Sequence, residues 1–165
     1  MVRIAAFVLL WGLCAGAAPL AAPVDYPEQE LIEELVARDE LPGVLFLIMD
    51  DDDEALEWVL PRLLQYSAQL REKWPEMPIS VLSHGQEMFG LLQKYATLYP
   101  HLHADLKRLV TQYKVTFHVC ETFAAMADVA PSEFPDYVDV VPFGPAEIEN
   151  YRRLDFKVVS VELTW

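Results

Sequence analysis

Cys120 stands where an apolar strand pattern, Val115 to Val119, gives way to a helical one. A thiol at a helix N-terminus lies near unpaired amide groups and the positive end of the helix dipole, which favour the thiolate. His118 is two residues earlier, so strand alternation points it toward the same side. An imidazole there could take the thiol proton or pair with the thiolate. The chemistry in view is therefore that of a single nucleophilic cysteine, with His118, Glu121 and Thr122 as its flanking binding residues. Glu121 and the negative charge of the whole chain oppose a further anion. The competing reading is a buried cysteine that only packs.

His84, in Ser83-His84-Gly85 at the end of another strand pattern, is a fourth candidate binding residue, able to line the same cleft or simply to cap a turn. The acidic run Asp50 to Asp53, with Glu54 and Glu57, offers oxygen ligands. It lacks the loop spacing of a calcium site, and acidic residues are favoured at a helix start in any case. His101 and His103 are two apart on a helical segment and share no face, so they read as a solvated pair. No metal site is expected. GxGxxG and GxxxxGK[ST] are absent, so no nucleotide cofactor is expected either. Without CxxC or GxSxG, neither a dithiol oxidoreductase nor an α/β-hydrolase fits.

The elements that must position these residues follow a regular alternation. Glu28 to Arg38 reads as a short helix, and Pro42-Gly43 ends it. Val44 to Met49 is a continuous apolar run, as for a strand covered on both faces. A helix follows with Leu56, Val59, Leu60, Leu63, Leu64 and Leu70 at three- and four-residue spacing, and Pro61 should kink or restart it. Ile79 to Leu82 is the second strand, followed by a helix with Met88, Leu91, Leu92 and Tyr95 on one face. Pro100 opens another helix, ahead of the third strand at Val115 to Val119. Beyond Cys120 come a short helix, a strand at Tyr137 to Val141, a helix from Gly144 and a last strand at Phe156 to Leu163. This order predicts a three-layer α/β/α sandwich around a five-stranded parallel sheet. Ligands of such sheets sit at the carboxyl ends of the strands. Here those ends are Asp50 to Asp53, Ser83 to Gly85, Cys120 to Thr122 and Pro142 to Pro145.

Composition narrows the partners. With 165 residues the expectation is one domain, and 53% hydrophobic residues make it globular. Twelve basic against 26 acidic residues leave a net charge of −14, and no basic run offsets it. Such a chain repels phosphate backbones and anionic membrane surfaces, so no nucleic-acid partner is expected. Residues 1–17 read as an export signal: Arg3, the apolar run Ile4 to Leu13, then Ala15-Gly16-Ala17 at the cut. Residues 18–42 form an N-terminal arm with a short helix, and residues 43–165 the α/β domain. Cleavage removes Cys14 and leaves Cys120 without an internal disulfide partner. The mature protein is expected in the periplasm or outside the cell, with no membrane attachment.

Three stretches, Val115-Thr-Phe-His-Val-Cys120-Glu-Thr, Ala130-Pro-x-x-Phe-Pro-x-Tyr-Val-x-Val-Val-Pro142 and Gly144-Pro-Ala-x-Ile148, give the chain a resemblance to the DsrE/DsrF-like family. It resembles that family from about Gly43 to Leu163. The resemblance implies a parallel five-stranded α/β/α sandwich assembled into a homo-oligomer. It also implies that a cysteine after the third strand carries a persulfide between a sulfur donor and an acceptor protein. Cys120 falls on that position. The alternative is an exported binding or assembly module on the same scaffold, in which Cys120 packs at the strand end.

Overall fold

Apolar side chains on both faces decide where the strands lie. The computed structural model describes residues 26–162. Within it β1 (Val44–Ile48), β2 (Ile79–Ser83), β3 (Thr116–Cys120), β4 (Asp139–Val141) and β5 (Lys157–Ser160) form one sheet in the order β4-β3-β2-β1-β5. Every neighbouring pair is parallel. Helices cover both faces, so the three-layer α/β/α sandwich read from the sequence is the fold. The expected export signal lies outside the described residues.

Parallel register places Phe46, Val81 and Phe117 in one row, and Leu47, Leu82, His118 and Asp139 in the next. These rows point to opposite faces. The first belongs to the main core, where Phe46 stacks on Tyr66 of α2 (Ala55–Lys73). α1 (Pro27–Val36) joins this layer through Ile32 and Leu35, and α3 (Pro100–Tyr113) through Leu102, Leu106 and Leu109. A buried ion pair between Glu28 and Arg62 ties α1 to α2, and the Tyr66 hydroxyl donates to the same carboxylate at 3.0 Å. Burial, with Glu28 beside it, pushes the Tyr66 hydroxyl up to about 12.

The second face carries α5 (Gly144–Arg153), whose Tyr151 hydroxyl lies 2.7 Å from His118 Nε2. α4 (Glu121–Met126) follows β3 directly, and its Ala124 belongs to the main core. The chain therefore leaves β3 toward one face and β4 toward the other. The topological switch point of the sheet falls between these two strands.

Three local expectations are corrected. α2 runs without interruption through Pro61. The proline forfeits one backbone bond, a cost of about 3 kcal/mol. Val59, Leu60 and Leu63 are fully buried around it, and each such side chain contributes roughly 1.5–3 kcal/mol. The helix expected across Met88 to Tyr95 is two 3₁₀ turns, Gln86–Leu91 and Gln93–Tyr95, with Leu92 extended between them. Met88, Leu91 and Leu92 are buried all the same, so apolar spacing located the core but not the helix type. His101 is exposed as expected, but His103 is half-buried: its Nε2 lies 3.2 Å from the Gly90 carbonyl, and burial lowers its pKa.

Candidate functional site

Cys120 is the last residue of β3 and the residue before α4. It has no exposed surface. Its side chain makes no capping bond to α4; instead the backbone N–H of Gly144, the first residue of α5, donates to Sγ at 3.4 Å. The helix end that reaches the thiol is thus α5, not the helix that follows Cys120 in sequence. Gly144 fits closely there: a Cβ on it would stand 3.1 Å from His84 Cγ and Nδ1, a tight contact, and 3.5 Å from Cys120 Cβ, an ordinary one. That approach brings Cys120 and His84 to one point, on either side of the Gly144 backbone.

The other residues singled out around Cys120 have different occupations. His118 shares the sheet face of Cys120, yet its ring nitrogens turn elsewhere. Nε2 meets Tyr151, and Nδ1 has no hydrogen-bond partner and lies 3.9 Å from Asp139 Oδ2. Burial holds the pKa of His118 below its ordinary value, while Asp139 and Glu147 pull the other way. Thr122 is spent on the backbone, its hydroxyl donating at 2.7 Å and its amide at 3.3 Å to the Pro142 carbonyl. Glu121 lines a shallow surface recess with Thr122, Ala125, Met126 and Pro142. The carboxyl ends of β3 and β4 are thus tied together by Thr122–Pro142 and Cys120–Gly144, beside that recess.

The open cavity lies nearer the other edge of the sheet, at the carboxyl ends of β1 and β2. It measures about 610 Å³ and is lined by Met49, Asp50, Asp51, His84, Gly85, Gln86, Phe123 and Glu162. That volume is ordinary for a small-molecule site. His84 and Phe123 line this cavity while Cys120 does not, and the His84 ring packs edge-on against Phe123 with centroids 5.9 Å apart. The acidic run contributes Asp50 and Asp51 to the rim. Asp50 Oδ1 accepts the Asp52 amide at 3.0 Å, and Asp52 Oδ1 accepts the Glu54 amide at 2.9 Å, so these carboxylates shape the turn into α2. Among the described residues, no three or more His, Cys, Asp or Glu side chains converge as a metal site would need. Nor is any helix among them long and apolar enough to cross a membrane.

Sequence reasoning missed Phe123, Gln86, Glu162 and Met49 as cavity residues. It also missed Glu87, which holds the cavity's backbone in place. The one available signal was position, since all of them follow within four residues of a strand end.

The strand order and the helices on both faces define a parallel five-stranded α/β sandwich. Solved structures share that architecture. A protein of unknown function, MTH1491 from Methanobacterium thermoautotrophicum, superposes with a TM-score of 0.57 at 18% identity, over 72% of this chain and 98% of its own. A conserved protein of unknown function, BT1422 from Bacteroides thetaiotaomicron, gives 0.52 at 16% identity, over 73% and 95%. These likenesses concern the fold. No protein-family profile and no curated protein matches the sequence.

Proposed function

We propose that this protein is a non-catalytic ligand-binding module on an α/β sandwich, with its site in the cavity bounded by His84, Phe123 and Asp50. The carrying observation is that Cys120 has no exposed surface, while the cavity that His84 lines opens to solvent. A sulfur-carrying cysteine needs room for a second sulfur and access to its partner. In this reading Cys120 fills the space beneath α5, and His84 presents the remaining face of its ring to the ligand. Residues 1–17 serve export to the periplasm or beyond. Met49, Phe143 and Leu154, exposed by 66%, 51% and 63%, supply apolar surface for self-association.

The test is thiol labelling of the native protein near neutral pH, read by intact mass. The expected result is labelling only after denaturation, with no mass gained from a polysulfide donor. A companion screen of small fragments by NMR should perturb the amides of Asp50, His84 and Phe123 together. Fragment binding confined to other surfaces would refute the site.

One observation favours a second reading, a persulfide carrier of the DsrE/DsrF kind. The Gly144 N–H at the start of α5 donates to Sγ, and a helix N-terminus stabilises a sulfur anion. In that reaction the Cys120 thiolate attacks the outer sulfur of a donor persulfide. A Cys120 S–S bond forms, the donor S–S bond breaks, and the donor leaves as a thiolate without net oxidation. Native labelling together with a reducible mass gain of one sulfur, both lost in Cys120→Ser, would establish this reading in place of the first.

A further inference from the structure

The end of the sheet holds a fully buried carboxylate that neither reading uses. Glu87 has no exposed surface. Its Oε1 accepts the Ser83 hydroxyl at 2.8 Å and the His84 and Gly85 amides at 3.0 Å each. Its Oε2 accepts the Asp50 amide at 2.9 Å. These four donors come from the carboxyl ends of two adjacent strands and are all neutral. Converging N–H groups at a strand end are how open α/β sheets take up a phosphate or carboxylate. Gly85 shows how tightly the place is filled: a Cβ on it would lie 2.3 Å from both the Asp50 carbonyl oxygen and Glu87 Oε2.

We infer that Glu87 is an internal ligand in an anion cradle and thereby sets the sign of charge that this end of the sheet accepts. Asp50, His84 and Gly85 line the cavity, and their backbone amides are all engaged by the Glu87 carboxylate. The backbone donors an anionic ligand would use at the strand ends are already taken. The cavity lining keeps the side chains of His84 and Gln86, but it also carries Asp50, Asp51 and Glu162, whose negative charge opposes an anion. Anionic ligands are shut out as long as Glu87 is in place, and removing its side chain opens the cradle to a small carboxylate. Only the bearing on ligand charge rests on the cavity being the functional site; the cradle stands without it.

The experiment compares the full chain with Glu87→Ala and Glu87→Gln, using sodium formate as the probe and sodium chloride at equal ionic strength as the control. Formate should raise the melting temperature of Glu87→Ala saturably and leave the wild type unmoved. It should also shift the variant's Asp50 and Gly85 amide resonances in NMR spectra. Glu87→Gln keeps the shape but replaces one acceptor by a donor. It should fold, exchange its Asp50 or Gly85 amide at least tenfold faster than wild type, and ignore formate because the space is filled. If Glu87→Ala does not fold in chloride, formate should restore folding. Three results would overturn the inference: a formate shift of the same amides in the wild type, no formate-specific gain in Glu87→Ala, or wild-type amide exchange in Glu87→Gln. If fragments then bind elsewhere, the cavity reading falls while the cradle remains.

Discussion

The two faces of the sheet are built on opposite principles. One is dry: Val44, Phe46, Val81, Phe117 and Val119 meet α1, α2 and α3 in a single apolar cluster. The other sets Ser80, His118 and Cys120 beside Leu45 and Leu82, beneath α5, in which Gly144 is the one fully buried residue. Three helices hold the first face by area; one helix holds the second by a few directed contacts. Burial of apolar surface is additive and forgiving, whereas a hydrogen-bonded lid depends on each partner. Stability should reside in the first face, and access to Cys120 should be governed by the second.

The largest effect should therefore come from the dry face. Phe46→Ala removes a fully buried ring stacked on Tyr66 and should cost about 3–5 kcal/mol in urea unfolding. The thiol should remain protected in whatever fraction stays folded. Native labelling of Cys120 in that fraction would mean that the two faces are not separable.

Gly144→Ala should act the other way round. Its Cβ would press on the His84 ring and on Cys120, at 3.1 and 3.5 Å. Overpacking of this kind costs about 1–3 kcal/mol. The larger change should be kinetic, with α5 lifting at its first turn and Cys120 labelling faster under native conditions. A full loss of stability with no gain in labelling would make Gly144 part of the core instead of the lid.

The dry face was legible in the sequence because area needs only composition and period. Val44 to Ile48 and the three- and four-residue spacing of α2 mark it directly. The polar face was legible only in part. Alternation correctly put His118 and Cys120 on one side, but their partners, Tyr151 and Gly144, lie 33 and 24 residues away. No local pattern specifies such pairs. Cys120 is the N-cap of α4, as its place after the strand suggested, but the bond to its thiol comes from α5, which the topology brings back over the strand. Glu87 was hidden because a buried carboxylate in sequence looks like any surface glutamate; only its four donors distinguish it.

The smallest and most specific test concerns the contact that fastens the middle of α5. Tyr151→Phe removes the hydroxyl 2.7 Å from His118 Nε2 and should cost about 1 kcal/mol, leaving both ring nitrogens unpartnered. The pH dependence carries the sharper signature. His118 is faced by Asp139 from β4 and by Glu147 and Tyr151 from α5. Burial outweighs the two carboxylates and lowers its pKa, so the folded protein favours the neutral ring. The unfolded chain, with histidine near 6.5, then binds more protons as the solution is acidified. The contribution of this neutral histidine is complete above that value, declines as pH falls through it, and is lost once the lower folded pKa is passed. His103, also lowered by burial, adds a slope of the same sign. In urea midpoints measured from pH 8 to pH 5, His118→Phe should flatten the acid decline without abolishing it. A decline identical in wild type and His118→Phe would show that His118 does not govern how acid loosens the polar face.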